Sequence, residues 1–284
     1  MAHASSIAVV TDSIADLPDD FVAAHPLFIV PAILVIEGKS YLDGQDITRE
    51  TYYQRLPALK PIPTTAAPSA GTFETLYESI FAQGYQQIIS IHAPVKLTAI
   101  YTAAHIAAER FGRRVQVVDC GQLTLGMGFQ VMALLEALRG GAALDEAIEA
   151  MNETRRRVRL VAMLDTMEYI RRSGRISWAA ASLGALLNLK LFIEVKDGVV
   201  QRLGEARTRR RGLERLHAYL DELGPLERLA VLHTNAEADA HQFLAETPAA
   251  IHTEPLITNV TTIVGTHVGP NALGFVALPE DARP

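Results

Sequence analysis

The stretch IISIHAPVKLTAIYTAAHIAAERFGRRVQVVDC, residues 88–120, decides the fold. It opens on a short β-branched run (IISIH, 88–92), passes through a helix-period segment (LTAIYTAAHIAAERFG, 97–112) and closes on a second run (VQVVD, 115–119). A strand, a covering helix and a strand form a crossover, and a crossover sets its two strands parallel. Near-continuous Val/Ile runs also imply strands buried on both faces. Working outward, IAVVTD (7–12) is a further strand. FETLYESIFAQG (73–84) and LGMGFQVMALLEALRG (125–140) are further helices. LVAMLD (160–165) and LAVLH (229–233) continue the strand pattern. The first part of the chain is therefore a parallel-sheet α/β unit.

Past about residue 160 the pattern changes. LNLKLFIEV (187–195), KDG and VVQRLGEA predict a hairpin with Asp197-Gly198 in the turn. RRGLERLHAYLDELG predicts a helix, and LITNVTTIV (256–264) and LGFVAL (273–278) predict strands on either side of GTHVGPNALG (265–274). That Gly/Pro-rich stretch predicts a tight connection with His267 in it. DTME (165–168) and TNAE (234–237) each have the spacing of a capping box. The expectation is α/β with two domains: an N-terminal parallel-sheet α/β domain (1–160) and a C-terminal α+β domain with a mixed sheet (161–284). A ligand is expected in the cleft between them, at the carboxyl ends of the parallel strands, where Asp12, His92 and Asp119 fall.

The 284 residues are 49% hydrophobic and 20% charged, ordinary for a globular protein, and no apolar run reaches the ~18 residues of a membrane span. The opening MAHASSIAVVTDS lacks a charged n-region and a long apolar core, so the expectation is a soluble cytoplasmic protein. The single cysteine, Cys120, excludes an intrachain disulfide and a thiolate metal cluster. A net charge of −6 argues against general nucleic-acid binding. Two basic clusters stand out, TRRRVRL (154–160) and RTRRRGLER (207–215), which read either as solvated helix faces or as a docking patch for an acidic partner.

The familiar catalytic signatures are missing: no GxGxxG follows the first strand, and there is no P-loop, GxSxG elbow or HExxH. No metal ligand set and no nucleophile–base pair is legible. What remains is hydroxyls, one arginine and one histidine. PTTAAPSAGTF (63–73) supplies Thr65 and a helix cap at Ser69; Thr98 stands at a helix start, as a cap or an anion donor; Arg175 follows a Gly174 C-cap in RRSGRIS (171–177); His267 completes the set. Neutral donors and a permanent cation suit a carboxylate or a phosphate. AAASLGALLNLKLFI (179–193), apolar and rich in small residues, reads as core packing or as the wall of an alkyl tunnel.

VVTDSIADLP (9–18), PTTAAPSAGTF (63–73), IISIHAPVKLTAIYTAA (88–104), DTMEYIRRSGRIS (165–177), EARTRRRGLERL (205–216) and VGTHVGPNALGF (264–275) together resemble the DegV family of bacterial fatty-acid-binding proteins, over almost the whole chain. The resemblance implies two α/β domains holding a long-chain fatty acid such as palmitate, with no cofactor, no metal and no enzymatic activity of the chain's own. It is similar to the acyl-binding subunit of fatty acid kinase, and so implies presentation of the acid to a partner kinase and admits a peripheral membrane contact. On the family's motifs, Thr65, Thr98, Arg175 and His267 surround the carboxyl end of the lipid, and Arg207 belongs to the partner contact. The chain departs from those motifs at Ala66, Pro94, Val95, Ala99, Ile100 and Asn271. Two rival readings stand beside this one. One is an acyl- or phosphoryl-transfer enzyme using Asp12, His92 or His267; the other is an interaction protein whose lipid is structural.

Overall fold

The computed structural model describes residues 6–176 and 189–280. Its first sheet has four parallel strands in the order β2-β1-β6-β7: β1 (Ile7–Asp12), β2 (Leu27–Val30), β6 (Gln87–His92) and β7 (Val115–Asp119). All six residues of β1 are buried, as a strand covered on both faces requires. The helices are α3 (Ala70–Ala82), α4 (Ile100–Ala108), α5 (Leu125–Arg139) and α6 (Leu144–Arg157). Ser69 caps α3, its Oγ accepting from Thr72 N at 3.1 Å.

A small antiparallel sheet, absent from the expectation, has the order β4-β3-β5: β3 (Ile33–Ile36), β4 (Lys39–Leu42) and β5 (Thr64–Ala66). Two helices flank these strands in the chain, α1 (Asp19–Ala23) and α2 (Arg49–Arg55).

The six-stranded mixed sheet runs β10-β9-β8-β13-β11-β12: β8 (Arg159–Leu164), β9 (Lys190–Lys196), β10 (Val199–Ala206), β11 (Leu226–His233), β12 (Leu256–Asn259) and β13 (Leu273–Pro279). Only β11 and β12 pair in parallel. The β9–β10 hairpin turns at Asp197 (φ 49°) and Gly198 (φ 71°), the two left-handed residues that a two-residue turn demands. Period-two alternation splits the sheet into two faces. Met163, Phe192 and Phe275 face α8 (Arg209–Asp221) and α9 (Glu237–Ala245), forming one core with Leu216, Leu220 and Phe243. Leu160, Val195, Leu232 and Val276 face the other way and share a core with the first sheet.

Three local expectations are corrected. LITNVTTIV is a strand only to Asn259; Thr262–Val268 is a helix, α10, which packs against α7 (Glu168–Arg172). His267 therefore sits in a last helical turn, and the Gly/Pro connection begins just after it, with Gly269 at φ 81° and Asn271 at φ 60°. TNAE forms no capping box: Thr234 Oγ1 donates to Gly269 O (2.8 Å) and accepts from Ala272 N (2.8 Å), tying β11 to the chain before β13. DTME forms none either; Asp165 pairs with Lys190 and Arg209, and Thr166 Oγ1 accepts from Glu168 N.

Candidate functional site

A cavity of about 310 Å³ lies between the six-stranded sheet and the first two sheets. Its floor is the inner face of the mixed sheet. Register places Ile193, Ala162, Gly274 and Leu232 in one row across four strands, with Leu160 and Val195 in the next. Its roof is Ile14 and Ala32 from the parallel-sheet side, the loop before α4 (Leu97–Ile100), and Ile263 and Val264 of α10. The lining is overwhelmingly apolar, so the space favours a hydrocarbon over an ordered water cluster.

The four residues expected to hold a head group, Thr65, Thr98, Arg175 and His267, all line this one cavity. They come from four elements. Thr65 is the middle residue of β5, paired with Leu34. Thr98 lies two residues before α4, and its Oγ1 accepts from Ile100 N at 3.3 Å, leaving its proton free to donate. Arg175 leaves α7 after Gly174 (φ 67°), the left-handed residue expected at a C-cap. Its Nη1 donates to Ser173 O (2.8 Å) and its Nε to Leu97 O (3.4 Å), which anchors the guanidinium between α7 and the Thr98 loop. His267 Nε2 lies 3.0 Å from Thr65 Oγ1.

Burial lowers the His267 pKa to about 4, and the charge of Arg175 pushes it the same way, so the imidazole is neutral near pH 7. The direction of the Thr65–His267 bond then sets what the site accepts. With the proton on Nε2, His267 donates to Thr65 and the threonine O–H is free to donate to an anion. The sequence reading missed Ser173, which also lines the cavity, although it lies inside the motif that yielded Arg175.

Asp12, His92 and Asp119 do not line the cavity, contrary to expectation. Asp12 and His92 are fully buried. Asp12 accepts from Ile14 N (3.1 Å), Ala93 N (3.2 Å) and His92 Nδ1 (2.9 Å). His92 Nε2 meets Ser90 Oγ at 2.7 Å, and Ser90 meets Tyr77 Oη at 2.8 Å. A hydroxyl–imidazole–carboxylate chain thus exists where the sequence showed no nucleophile–base pair. Ser90 is wholly inaccessible and already partnered by a tyrosine, so this chain is a means of joining strands rather than a reaction centre. Asp119 accepts from Val95 N (3.1 Å) and Gly121 N (2.9 Å), ordering the loops after β6 and β7. Cys120 is buried, and burial pushes its thiol up, the opposite of an activated thiolate.

The first basic cluster is engaged within the protein: Arg155 donates to the backbone oxygen of Asp119, Arg156 pairs with Glu149 and Glu153, Arg157 with Glu227, and Arg159 with Glu194. In the second, Arg209 pairs with Asp165 and Asp239, while Arg207 is exposed and away from the cavity. The tunnel-wall stretch 179–193 falls outside the described residues from 179 to 188; its remainder includes Ile193 on the cavity floor. Among the described residues no helix is long and apolar enough to cross a membrane.

Residues 6–280 match the family described as "Uncharacterised protein, DegV family". The chain belongs to the DegV family. A DegV domain-containing protein of Caldanaerobacter subterraneus is 31% identical, aligned over 94% of this chain and 97% of its own. The structure of a DegV family protein from Thermus thermophilus, described by its fatty acid binding, is 30% identical, with a TM-score of 0.87 over 96% of this chain and 99% of the other. That of Bacillus subtilis DegV, described as a fatty acid binding protein, is 27% identical, with a TM-score of 0.83 over 96% and 99%. The mixed and parallel sheets described above are the DegV two-domain α/β architecture.

Proposed function

We propose that this chain binds a long-chain fatty acid such as palmitate, with its alkyl tail on the floor of the mixed sheet and its carboxylate at Thr65, Thr98, Arg175 and His267. The observation that carries this is one apolar cavity with its hydroxyls, guanidinium and neutral imidazole gathered from four separate elements. The DegV relatives described as fatty-acid-binding support it. Burying about 14 methylenes at ~0.8 kcal/mol each yields on the order of 10 kcal/mol before ordering costs, so the tail supplies affinity. The polar end exchanges bonds with water for bonds with protein and chiefly sets orientation. The proton order His267 Nε2–H to Thr65, and Thr65 O–H to the ligand, suits an ionised acid.

The chain acts in this reading as a carrier and not as an enzyme, in the cytoplasm, with residues 1–160 and 161–284 as its two walls. Presentation of the acid to a partner kinase, or collection from a membrane surface, is the finer part of the proposal. Its support is that Arg207 and Arg211 show no ion-pair partner among the described residues, which leaves them available to an acidic surface. Solvent extraction of the purified protein with lipid mass spectrometry, followed by palmitate titration of the delipidated protein, tests the core reading. About one equivalent of a long-chain acid and saturable palmitate binding are expected; an extract free of fatty acid, with no palmitate binding, overturns it. Charge reversal at Arg207 is expected to abolish kinase association with lipid content unchanged.

A further inference from the structure

The helix that carries His267 has only seven residues, too few to hold its own position in water. Its position is imposed from outside, by residues of the first lobe more than two hundred positions earlier. Asp43, buried at 4% exposure, spreads its carboxylate across the start of α10. Its Oδ2 accepts from Thr261 Oγ1 (2.5 Å), and its Oδ1 accepts from Thr262 Oγ1 (2.6 Å) and Thr262 N (3.3 Å). Asp16 Oδ1 accepts from Thr261 N (2.9 Å) and is paired with Arg49 (2.9 Å), whose other nitrogen donates to Asn259 O (2.5 Å). Farther along, Tyr53 Oη donates to Val260 O (2.8 Å), and Gly265 lies so close that a Cβ there would fall 2.0 Å from the same oxygen. Thr266 Oγ1 donates to Thr262 O (2.7 Å), so Tyr52 Oη, 2.6 Å away, is the donor to Thr266, the residue next to His267.

These bonds fix the two remaining freedoms of a short helix. The carboxylate of Asp43 sets its position along the axis, and the Tyr52–Thr266 bond sets its rotation. Both must be right for His267 Nε2 to sit 3.0 Å from Thr65. We propose that Asp43 is a positioning residue for the carboxylate site, acting through the N-terminus of α10 on the Thr65–His267 hydrogen bond. The inference rests on the fatty-acid reading for its functional consequence, though not for its structural one.

The test is Asp43→Asn in the full-length chain. Asparagine has one acceptor oxygen where α10 presents three donors, and its NH₂ faces the others. Palmitate affinity is expected to fall by about three- to tenfold, the same range as removal of the imidazole itself. The His267 imidazole, followed by nitrogen NMR, is expected to titrate well above the wild-type midpoint as the ring leaves its buried contact. Phe243→Leu, on the buried face of α9 and in a core separate from that of α10, is the control for general destabilisation; it is expected to lower Tm while leaving affinity and the His267 titration unchanged. If Asp43→Asn fails to fold, Tyr52→Phe removes only the Thr266 bond and is expected to shift both readouts in the same direction by less. An unchanged His267 titration in the folded Asp43→Asn variant, or in Tyr52→Phe should that be the only one to fold, overturns the inference. So do shifts equal to those of Phe243→Leu. Should wild-type protein fail to bind palmitate, the fatty-acid reading falls and the imidazole titration still decides the positioning role.

Discussion

Two histidines in this molecule are built from nearly the same parts and do opposite work. His92 is bonded to a carboxylate on one nitrogen and a serine on the other, with a tyrosine behind the serine, all inside the protein. His267 has one threonine partner and stands on a cavity wall beside an arginine. In the first set every donor and acceptor at the ring is used, so the chain of bonds joins β1, β6 and α3 and offers nothing to a ligand. In the second set the hydrogen-bonding capacity is incomplete and the open direction faces apolar space. Residue type does not separate scaffold from site; saturation of partners and access do.

The largest expected effect comes from removing the space that makes the second set different. Ala162→Phe, on the cavity floor, is expected to reduce palmitate binding by at least 100-fold, measured by calorimetry and by lipid mass spectrometry of the purified protein. Retention of a full equivalent of lipid would place the tail elsewhere. Next in size, Asp12→Asn confronts three buried donors with an amide. It is expected to cost about 2–4 kcal/mol in urea unfolding while leaving the palmitate affinity of the folded protein within about threefold. A large loss of affinity without loss of stability would erase the contrast between the two histidines.

The third prediction concerns pH. The folded His267 pKa of about 4 lies below its ordinary 6.5. The unfolded chain therefore binds a proton that the folded one refuses, and this contribution to stability is lost as pH falls from 6.5 toward 4. Asp16 behaves oppositely. Burial, partly opposed by Arg49, raises its carboxyl from 3.8 to about 7, so its contribution is present at low pH and lost as pH rises from 4 toward 7. The two slopes oppose each other across the shared window. His267→Gln is expected to leave stability declining as pH rises from 4 to 7, and Asp16→Asn to leave it increasing, each by up to about 1.4 kcal/mol per pH unit. Denaturant midpoints at half-unit intervals check both signs. The smallest effect is expected from His267→Ala on binding: about three- to tenfold weaker palmitate affinity, one exchanged hydrogen bond, with little change in Tm.

Three of the four parallel strands were legible as β-branched runs, and IAVVTD and VQVVD match β1 and β7 residue for residue; β2, with four residues, was not read. The β9–β10 hairpin was legible through Asp197-Gly198, where turn chemistry is local. The β3-β4-β5 sheet was not. Its strands have three or four residues and mixed exposure, too short for a period to register. TTIV read as the end of a strand because β-branched residues dominate it, and GTHV read as part of a turn because glycine and proline bracket it. The carboxylates and tyrosines that make them one helix lie far away in the chain, and tertiary contacts overrode propensity. Thr65, Thr98, Arg175 and His267 came from the family resemblance together with residue chemistry. Their convergence on one cavity required the fold.

Because α10 follows β12 in the chain yet is gripped by Asp16, Asp43, Arg49, Tyr52 and Tyr53, the proposed carboxylate site has no home in either half alone. Chimeras that graft the second half of one relative onto the first half of another would inherit both sets of side chains and lose their fit. For this chain the residues up to Ala66, Thr65 among them, and the stretch from Asn259 to Gly269 must travel together, or change together, for an inherited imidazole to land where its threonine waits.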